Sequence, residues 1–248
     1  MPTPHDHSAD VLVLQHLIDD GPGYLGQWLD AQDITWHVFC AESGESYPDS
    51  VSDYRGLAIL GGAWSANDDR ASLRLTEDLI RQADVLGIPI IGHCLGGQLM
   101  ARAFGGRVEP HTPAEIGWMP LIPTHSSQCH TWLGDADTHM VYQWHHDNFV
   151  TLPQGAELIA SSPGCQHQAF VIGPHLAMQF HVEITEQKIT EWMKTPGDGF
   201  DRLVENHPAT VQSLVDMTDS TMQHISASQA LANRIYHTWH SGFKPGQA

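Results

Sequence analysis

The sequence predicts an α/β fold built around a mostly parallel sheet, and three observations carry that prediction. Short apolar runs alternate with segments of helical periodicity over the first hundred residues, the pattern of successive strand–helix–strand units. The run Val11-Leu12-Val13-Leu14 is continuously apolar, as a strand covered on both faces requires. In Ile90-Ile91-Gly92-His93-Cys94-Leu95-Gly96-Gly97-Gln98 a strand passes into a helix through a cysteine flanked by glycines. Such a turn strains the backbone at its apex and presents the apical side chain. With 248 residues, 41% of them apolar, the chain is long enough for one domain with a full core.

Each element follows from its local pattern. After the first strand, Asp19-Asp20-Gly21-Pro22-Gly23 marks a loop, and Tyr24 to Ala31 has helical spacing of apolar groups. Ile34 to Phe39 and Tyr54 to Leu60 read as strands, the latter ending in Gly61-Gly62-Ala63-Trp64. Leu75, Leu79, Ile80, Ala83 and Leu86 fall at helical spacing, and Gly87 before Pro89 is a stop signal. Ile88 to Ile91 is the strand before the cysteine, and Leu95 to Phe104 the helix after it. The second half offers short strands at 108–110, 117–123, 140–144, 158–161, 169–172 and 176–180. Little helix separates them, which predicts antiparallel or mixed pairing.

Thr185 is a helix cap, with Ile184 and Ile189 placed as a hydrophobic staple over a helix reaching about Met193. Residues 195–199 form a linker. Val211, Leu214 and Val215, then Leu231, Ile235 and Trp239, predict two or three further helices. The organisation expected is a disordered tail over 1–10, a domain over 11–194, and a helical extension over 195–248 packed on that domain. Trp192, Trp239 and Phe243 would serve as docking anchors if exposed.

Composition narrows the function. Twenty-nine acidic against eleven basic residues give a formal charge of −18, which opposes binding to a phosphate backbone, so no nucleic-acid partner is expected. No membrane-spanning run and no signal-like start are present, so a cytoplasmic protein is expected. Cys40, Cys94, Cys129 and Cys165 are widely spaced and predict free thiols. Eighteen histidines invite a metal hypothesis, but His125-Ser126-Ser127-Gln128-Cys129-His130 matches no recurrent ligand spacing, and His5-x-His7 lies in the expected tail. No metal site and no cofactor are expected.

A cysteine nucleophile requires a base and an acceptor that orients the base. In Met178-Gln179-Phe180-His181-Val182-Glu183, residues two apart in an extended segment project to one side, so His181 and Glu183 present imidazole and carboxylate together. The helix amino terminus favours an anion such as a thiolate at Cys94. Acyl chemistry also requires oxyanion donors, for which the Leu95 amide and the Gly61-Gly62 segment are the candidates. Read singly, these features have plainer meanings: a buried thiol, a core histidine, a tight turn. Together they define a Cys94, His181, Glu183 triad.

These residues carry a family resemblance. Gly92-His93-Cys94-Leu95-Gly96-Gly97-Gln98 resembles the G-x-C-x-G-x-Q signature of class I (triad) glutamine amidotransferases, and Gln179-Phe180-His181-Val182-Glu183 resembles their Q-F-H-x-E motif. Leu60-Gly61-Gly62-Ala63 resembles their oxyanion strand, and Gly105-Gly106-Arg107-Val108, Glu115-Ile116-Gly117-Trp118 and the stretch Gln143 to Phe149 extend the likeness. The pattern is similar to stand-alone members that resemble the glutaminase domain of GMP synthase. It implies a flavodoxin-like three-layer fold and hydrolysis of the glutamine γ-amide through a Cys94 thioester. It also implies a glutamine pocket shaped by Gln98, with His145 and Asp147 on a substrate-side loop. Val182 and Ala63 stand where the family often has proline, and His146 where it often has glycine. None of these removes a reacting atom, but His146 is placed to reshape the pocket. The expected partner is a small-molecule glutamine or γ-glutamyl compound, and since no phosphate-cradling G-x-x-x-x-G-K-[ST] pattern occurs, either a separate synthase subunit is a further partner or the protein is a free-standing hydrolase. Two alternatives stay open: a γ-glutamyl peptidase, and a catalytically silent binding or regulatory protein.

Overall fold

The structure is a computed structural model and describes residues 9–244. The strands are β1 (Val11–Gln15), β2 (Trp36–Cys40), β3 (Gly56–Ile59), β4 (Ile90–His93), β5 (Arg107–Pro123), β6 (His139–Thr151), β7 (Glu157–Ser161), β8 (Ala169–Ile172) and β9 (His175–Met178). The helices are α1 (Tyr24–Ala31), α2 (Ala71–Leu86), α3 (Leu95–Ala103), α4 (Ser127–Leu133), α5 (Glu186–Lys194), α6 (Phe200–Asn206) and α7 (Leu214–Ser241). Among the described residues the strands form one sheet in the order β2-β1-β3-β4-β9-β8-β7-β5-β6. The pairs from β2 through β9 are parallel, and those from β9 to β6 are antiparallel. This is the mixed flavodoxin-like arrangement the sequence implies, but the sheet is parallel only in its β2-to-β9 half rather than mostly parallel, because the β5–β6 hairpin, β7 and β8 extend it with antiparallel pairs.

Strand alternation sends successive side chains to opposite faces and so builds two cores. Val11, Val13 and Ile91 pack with Trp28 of α1, Trp132 of α4 and Ile235 and Trp239 of α7. Leu12, Leu14 and Ile90 pack with Leu79 and Ile80 of α2 and Leu99 and Met100 of α3. A third cluster joins Ile116, Trp118 and Tyr142 of the β5–β6 hairpin to Ile184, Ile189, Phe200 and Met217. The staple pair is therefore buried, and the Thr185 hydroxyl accepts from the Lys188 amide at 3.1 Å, capping α5 as its sequence indicates.

Several local expectations change. The strand pieces at 108–110 and 117–123 are one 17-residue strand, whose pairing with β6 slips between Pro110 and Glu115. That slip breaks the two-residue alternation by which strands are recognised. The expected loop carrying His145 and Asp147 is instead the middle of β6, where His145 lies opposite Glu115 and Asp147 opposite Pro110. Only its first part, 140–144, was expected as a strand, because polar residues on both faces obscure the continuation to Thr151.

The stretch read as a histidine cluster includes the start of α4, capped by Ser126 accepting from the Cys129 amide. On α2, Leu75 and Leu86 are 50% and 41% exposed; the stripe of Leu73, Thr76, Leu79, Ile80 and Ala83 faces the sheet instead. Val215 is likewise exposed, and Val211 precedes α7, bridging to Ile116. Trp239 is buried and Phe243 packs against the same core, so they seat the helix on the sheet rather than offering docking anchors.

Residues 1–8, including His5 and His7 of the expected tail, lie outside the described residues. Asp10 is held by the Thr35 carbonyl and by an ion pair with Arg55 at 3.0 Å. Cys40, Cys94, Cys129 and Cys165 are free thiols. Among the described residues no helix is long and apolar enough to cross a membrane, and no group of three or more His, Cys, Asp or Glu is placed to hold a metal ion.

Candidate active site

β4 delivers Cys94 to the carboxyl edge of the sheet, and α3 begins at the next residue. Cys94 has φ 48° and ψ −108°, a conformation that side chains strongly disfavour. It is therefore the strained apex the sequence predicts. The strain is tolerated because α3 lies directly on the sheet: a Cβ on Gly96 would come within 2.3 Å of the Ile59 carbonyl oxygen. The Cys94 amide donates to the Met178 carbonyl at 2.9 Å, tying the apex to β9.

The chain leaving β9 brings the other residues to the same point. His181 is held by its amide, which donates to the Tyr142 carbonyl at 2.9 Å. Its Nδ1 lies 2.7 Å from Glu183 Oε1. Both side chains are buried, so the pair is poorly screened. Burial alone would lower the imidazole pKa, but the Glu183 carboxylate and the adjoining Cys94 thiol outweigh it and raise it. Burial likewise opposes the Glu183 charge, yet His181 and then His93 hold that carboxyl well below its ordinary range. Nδ1 is thereby committed to Glu183, while Nε2 has no hydrogen-bond partner in the closed site and is left for the thiol or a leaving group. The Trp192 ring stands edge-on to His181 with centroids 4.8 Å apart and helps to close the site.

Gly61 lies against both groups: a Cβ there would be 3.0 Å from His181 Cε1 and 3.6 Å from Cys94 Cβ. Gly62 is wedged between Leu95 and His16, with 3.0 and 3.1 Å available to a Cβ. The Leu95 amide opens α3, where first-turn amides have no partner within the helix. The two segments expected to supply oxyanion donors thus flank the thiol.

Gln98, His145 and Asp147 also converge, but largely on one another. Gln98 Nε2 donates to the Asp147 carbonyl at 3.2 Å, and His145 Nδ1 lies 3.1 Å from the same oxygen. Asp147 Oδ2 accepts from Ser65 at 2.6 Å. His145 Nε2 faces Glu115, which also accepts from Ser162 and Gln168, each at 2.6 Å. Burial disfavours the Glu115 charge, but the hydrogen bonds from His145 and Ser162 prevail and lower its pKa. His145 is buried and held between the Asp147 carbonyl and Glu115. Gln179 Nε2 reaches Cys94 Sγ at 3.7 Å and the Trp144 carbonyl lies 3.9 Å from it.

Sequence reasoning assigned no site role to His16, His93, Trp144 or Trp192. His93 was in view as the neighbour of Cys94 and Trp144 within the stretch Gln143 to Phe149; Trp192, expected as a docking anchor if exposed, packs on His181 instead, and His16 carries no motif and reaches the site only through the fold. His16 is fully buried, neither ring nitrogen has a partner, and burial pushes its pKa down from 6.5 to about 4. A depressed folded-state value means that the unfolded chain takes up the proton first. The contribution is intact above about 6.5 and is lost as pH falls towards about 4, amounting to about 3 kcal/mol. His16→Leu is expected to flatten that acid limb in a plot of melting temperature against pH; an unchanged slope would contradict the assignment.

Comparison with known proteins identifies the family. Residues 32–194 match the family model described as glutamine amidotransferase class-I. The glutamine amidotransferase-like protein YfeJ of Salmonella typhimurium is 29% identical over 185 residues, covering 70% of this chain and 77% of that protein. A glutamine-hydrolyzing GMP synthase of Chromobacterium violaceum is 30% identical over 165 residues, covering 61% of this chain but 30% of that protein. The crystal structure of a glutamine amido transferase from Methylobacillus flagellatus superposes with a TM-score of 0.91 at 34% identity, over 97% of this chain and 98% of the other. With two thirds of its length inside the family model and the fold matched almost end to end, the chain belongs to the class-I glutamine amidotransferase family.

Proposed function

We propose that the protein hydrolyses the side-chain amide of glutamine and releases ammonia, with Cys94, His181 and Glu183 as its triad. The observation that carries this reading is the strained Cys94 apex beside a buried His181–Glu183 pair at 2.7 Å. Cys94 Sγ attacks the amide carbon, and the amides of Leu95 and Gly62 stabilise the oxyanion, each donor contributing on the order of a hundredfold or more in rate. His181 gives its Nε2 proton to the departing ammonia and then draws a proton from the water that hydrolyses the thioester. Glu183 holds the ring through Nδ1 and stabilises the imidazolium. Gln98 and Asp147 shape the glutamine pocket and His145 supports it. The domain at 11–194 and the helical extension at 195–248 act as one unit in this reading.

The substrate is a small molecule, and a separate synthase subunit is the proposed recipient of the ammonia. The GMP synthases offer that analogy, although the matched region of the Chromobacterium violaceum protein is less than a third of its length. Purified protein should release ammonia from glutamine faster than it cleaves γ-glutamyl dipeptides or γ-glutamyl amines, because Cys94 is only 5% exposed and Trp192 stands over His181. A strong preference for the larger compounds would make it a γ-glutamyl peptidase. Absence of turnover with either class would leave a silent binding protein.

A further inference from the structure

His181 is closed in from several sides. Glu183 takes its Nδ1, Gly61 lies against its Cε1, and the Trp192 ring stands edge-on to it with centroids 4.8 Å apart. Trp192 in turn meets Trp144 edge-on at 5.8 Å, and the Trp144 carbonyl lies 3.9 Å from Cys94 Sγ. Both tryptophans are partly exposed, whereas Cys94 and His181 are buried. The aromatic pair therefore reaches from the reacting groups out to solvent, and the place of its rings decides how much of a substrate fits beside His181.

The Trp192 ring is held in place at two points. Its Nε1 donates to Asp20 Oδ1 at 3.2 Å, and the same oxygen receives Lys188 Nζ at 2.6 Å. Lys188 Nζ also donates to the Gly21 carbonyl at 2.5 Å and lies 5.4 Å from the centre of the Trp192 ring. Lys188 and Trp192 are four residues apart on α5 and so project from one face of it. Asp20 belongs to the loop between β1 and α1, which is itself pinned: its amide donates to the Leu17 carbonyl at 3.2 Å, and the Tyr24 amide donates to the Glu183 carbonyl at 2.8 Å. Asp20 and Lys188 are 7% and 8% exposed, so their attraction is poorly screened. An indole bound at its nitrogen and faced by a cation does not swing aside freely.

The leaving group gives this clamp its meaning. His181 Nε2 must come within hydrogen-bond reach of the amide nitrogen that departs. In glutamine that nitrogen carries only hydrogens. In a γ-glutamyl amine or dipeptide it carries a substituent, which starts beside the imidazole and meets the indole already packed there. We propose that Trp192 is the specificity-determining residue that restricts the leaving group to ammonia, and that Asp20 is the positioning residue that holds its ring. The proposal rests on the glutaminase reading above, and one arm of its test reads without turnover.

The full chain would be examined as W192A, D20A, D20N and the W192A/D20A double variant. Two ratios are measured: kcat/KM for γ-glutamylethylamide over that for glutamine, and the rate of Cys94 alkylation by N-benzyl iodoacetamide over that by iodoacetamide, followed by mass spectrometry of the Cys94 peptide. W192A should raise both ratios about tenfold or more, the scale on which a closed pocket discriminates a few carbon atoms. D20A should move them in the same direction by a smaller factor, and D20N, whose amide oxygen still accepts from Trp192 Nε1, should restore most of the wild-type value. D20A added to W192A should change neither ratio further, because Asp20 acts through the ring. Wild-type ratios in W192A overturn the proposal, and so does a D20A variant that loses activity with neither ratio moved. Should wild-type protein release no ammonia from glutamine, the function above fails, and the alkylation ratio alone decides for Trp192 and Asp20. Should D20A not fold, D20L/K188M, which removes both charges together, takes its place: raised ratios support the clamp and wild-type ratios overturn it.

Discussion

Cys94→Ala is expected to lower ammonia release from glutamine by more than about ten thousand-fold while leaving the fold intact, since removing a triad nucleophile leaves only what binding and oxyanion donors supply. The backbone at this residue makes a second outcome specific. With φ at 48° and ψ at −108°, any side chain is strained, by about 1–3 kcal/mol, whether cysteine or alanine. Glycine escapes that strain at a smaller cost in unfolded-chain entropy. Cys94→Gly should therefore be as inactive as Cys94→Ala yet about 1 kcal/mol more stable, a rise of a few degrees in melting temperature for a chain of this size. Thermal melts of the two variants check this, and equal midpoints would show that the apex carries no stored strain. A higher midpoint for Cys94→Gly would show that the wild-type residue holds its thiol at the expense of stability.

The second large effect concerns the base. His181→Ala should reduce acylation about a thousandfold or more, because it removes the proton carrier for both the thiol and the leaving group. Glu183→Gln should cost about ten- to a hundredfold, the worth of one charged hydrogen bond. The geometry explains the difference: a glutamine carbonyl can still accept from His181 Nδ1, and its amide can donate towards His93 Nε2. What is lost is the charge that supports the imidazolium. Single-turnover measurement of acyl-enzyme formation separates these effects from deacylation. Equal losses in the two variants would mean that Glu183 does more than orient and support the ring.

The sequence by itself determined the fold class, the apex cysteine and the pairing of His181 with Glu183, because each is a local matter. The fully apolar run Val11–Leu14 marks a strand buried on both faces, glycines flank a turn that other residues would obstruct, and residues two apart in an extended segment face the same way. What it could not determine depends on partners distant in the chain. The long β5 and β6 strands were legible only in pieces, at 108–110, 117–123 and 140–144, because a register slip and polar residues interrupt the alternation, and Glu115, which faces His145, lies thirty residues away in the chain. His16 reaches Gly62 only because β1 and β3 are neighbours in the sheet. Tyr236, more than a hundred residues beyond His93, stands edge-on to it because Asn233 and Trp239 lock α7 against α1 and the approach to β4. A buried carboxylate's surroundings are set by packing across the whole domain, and that information exists only once the chain has folded.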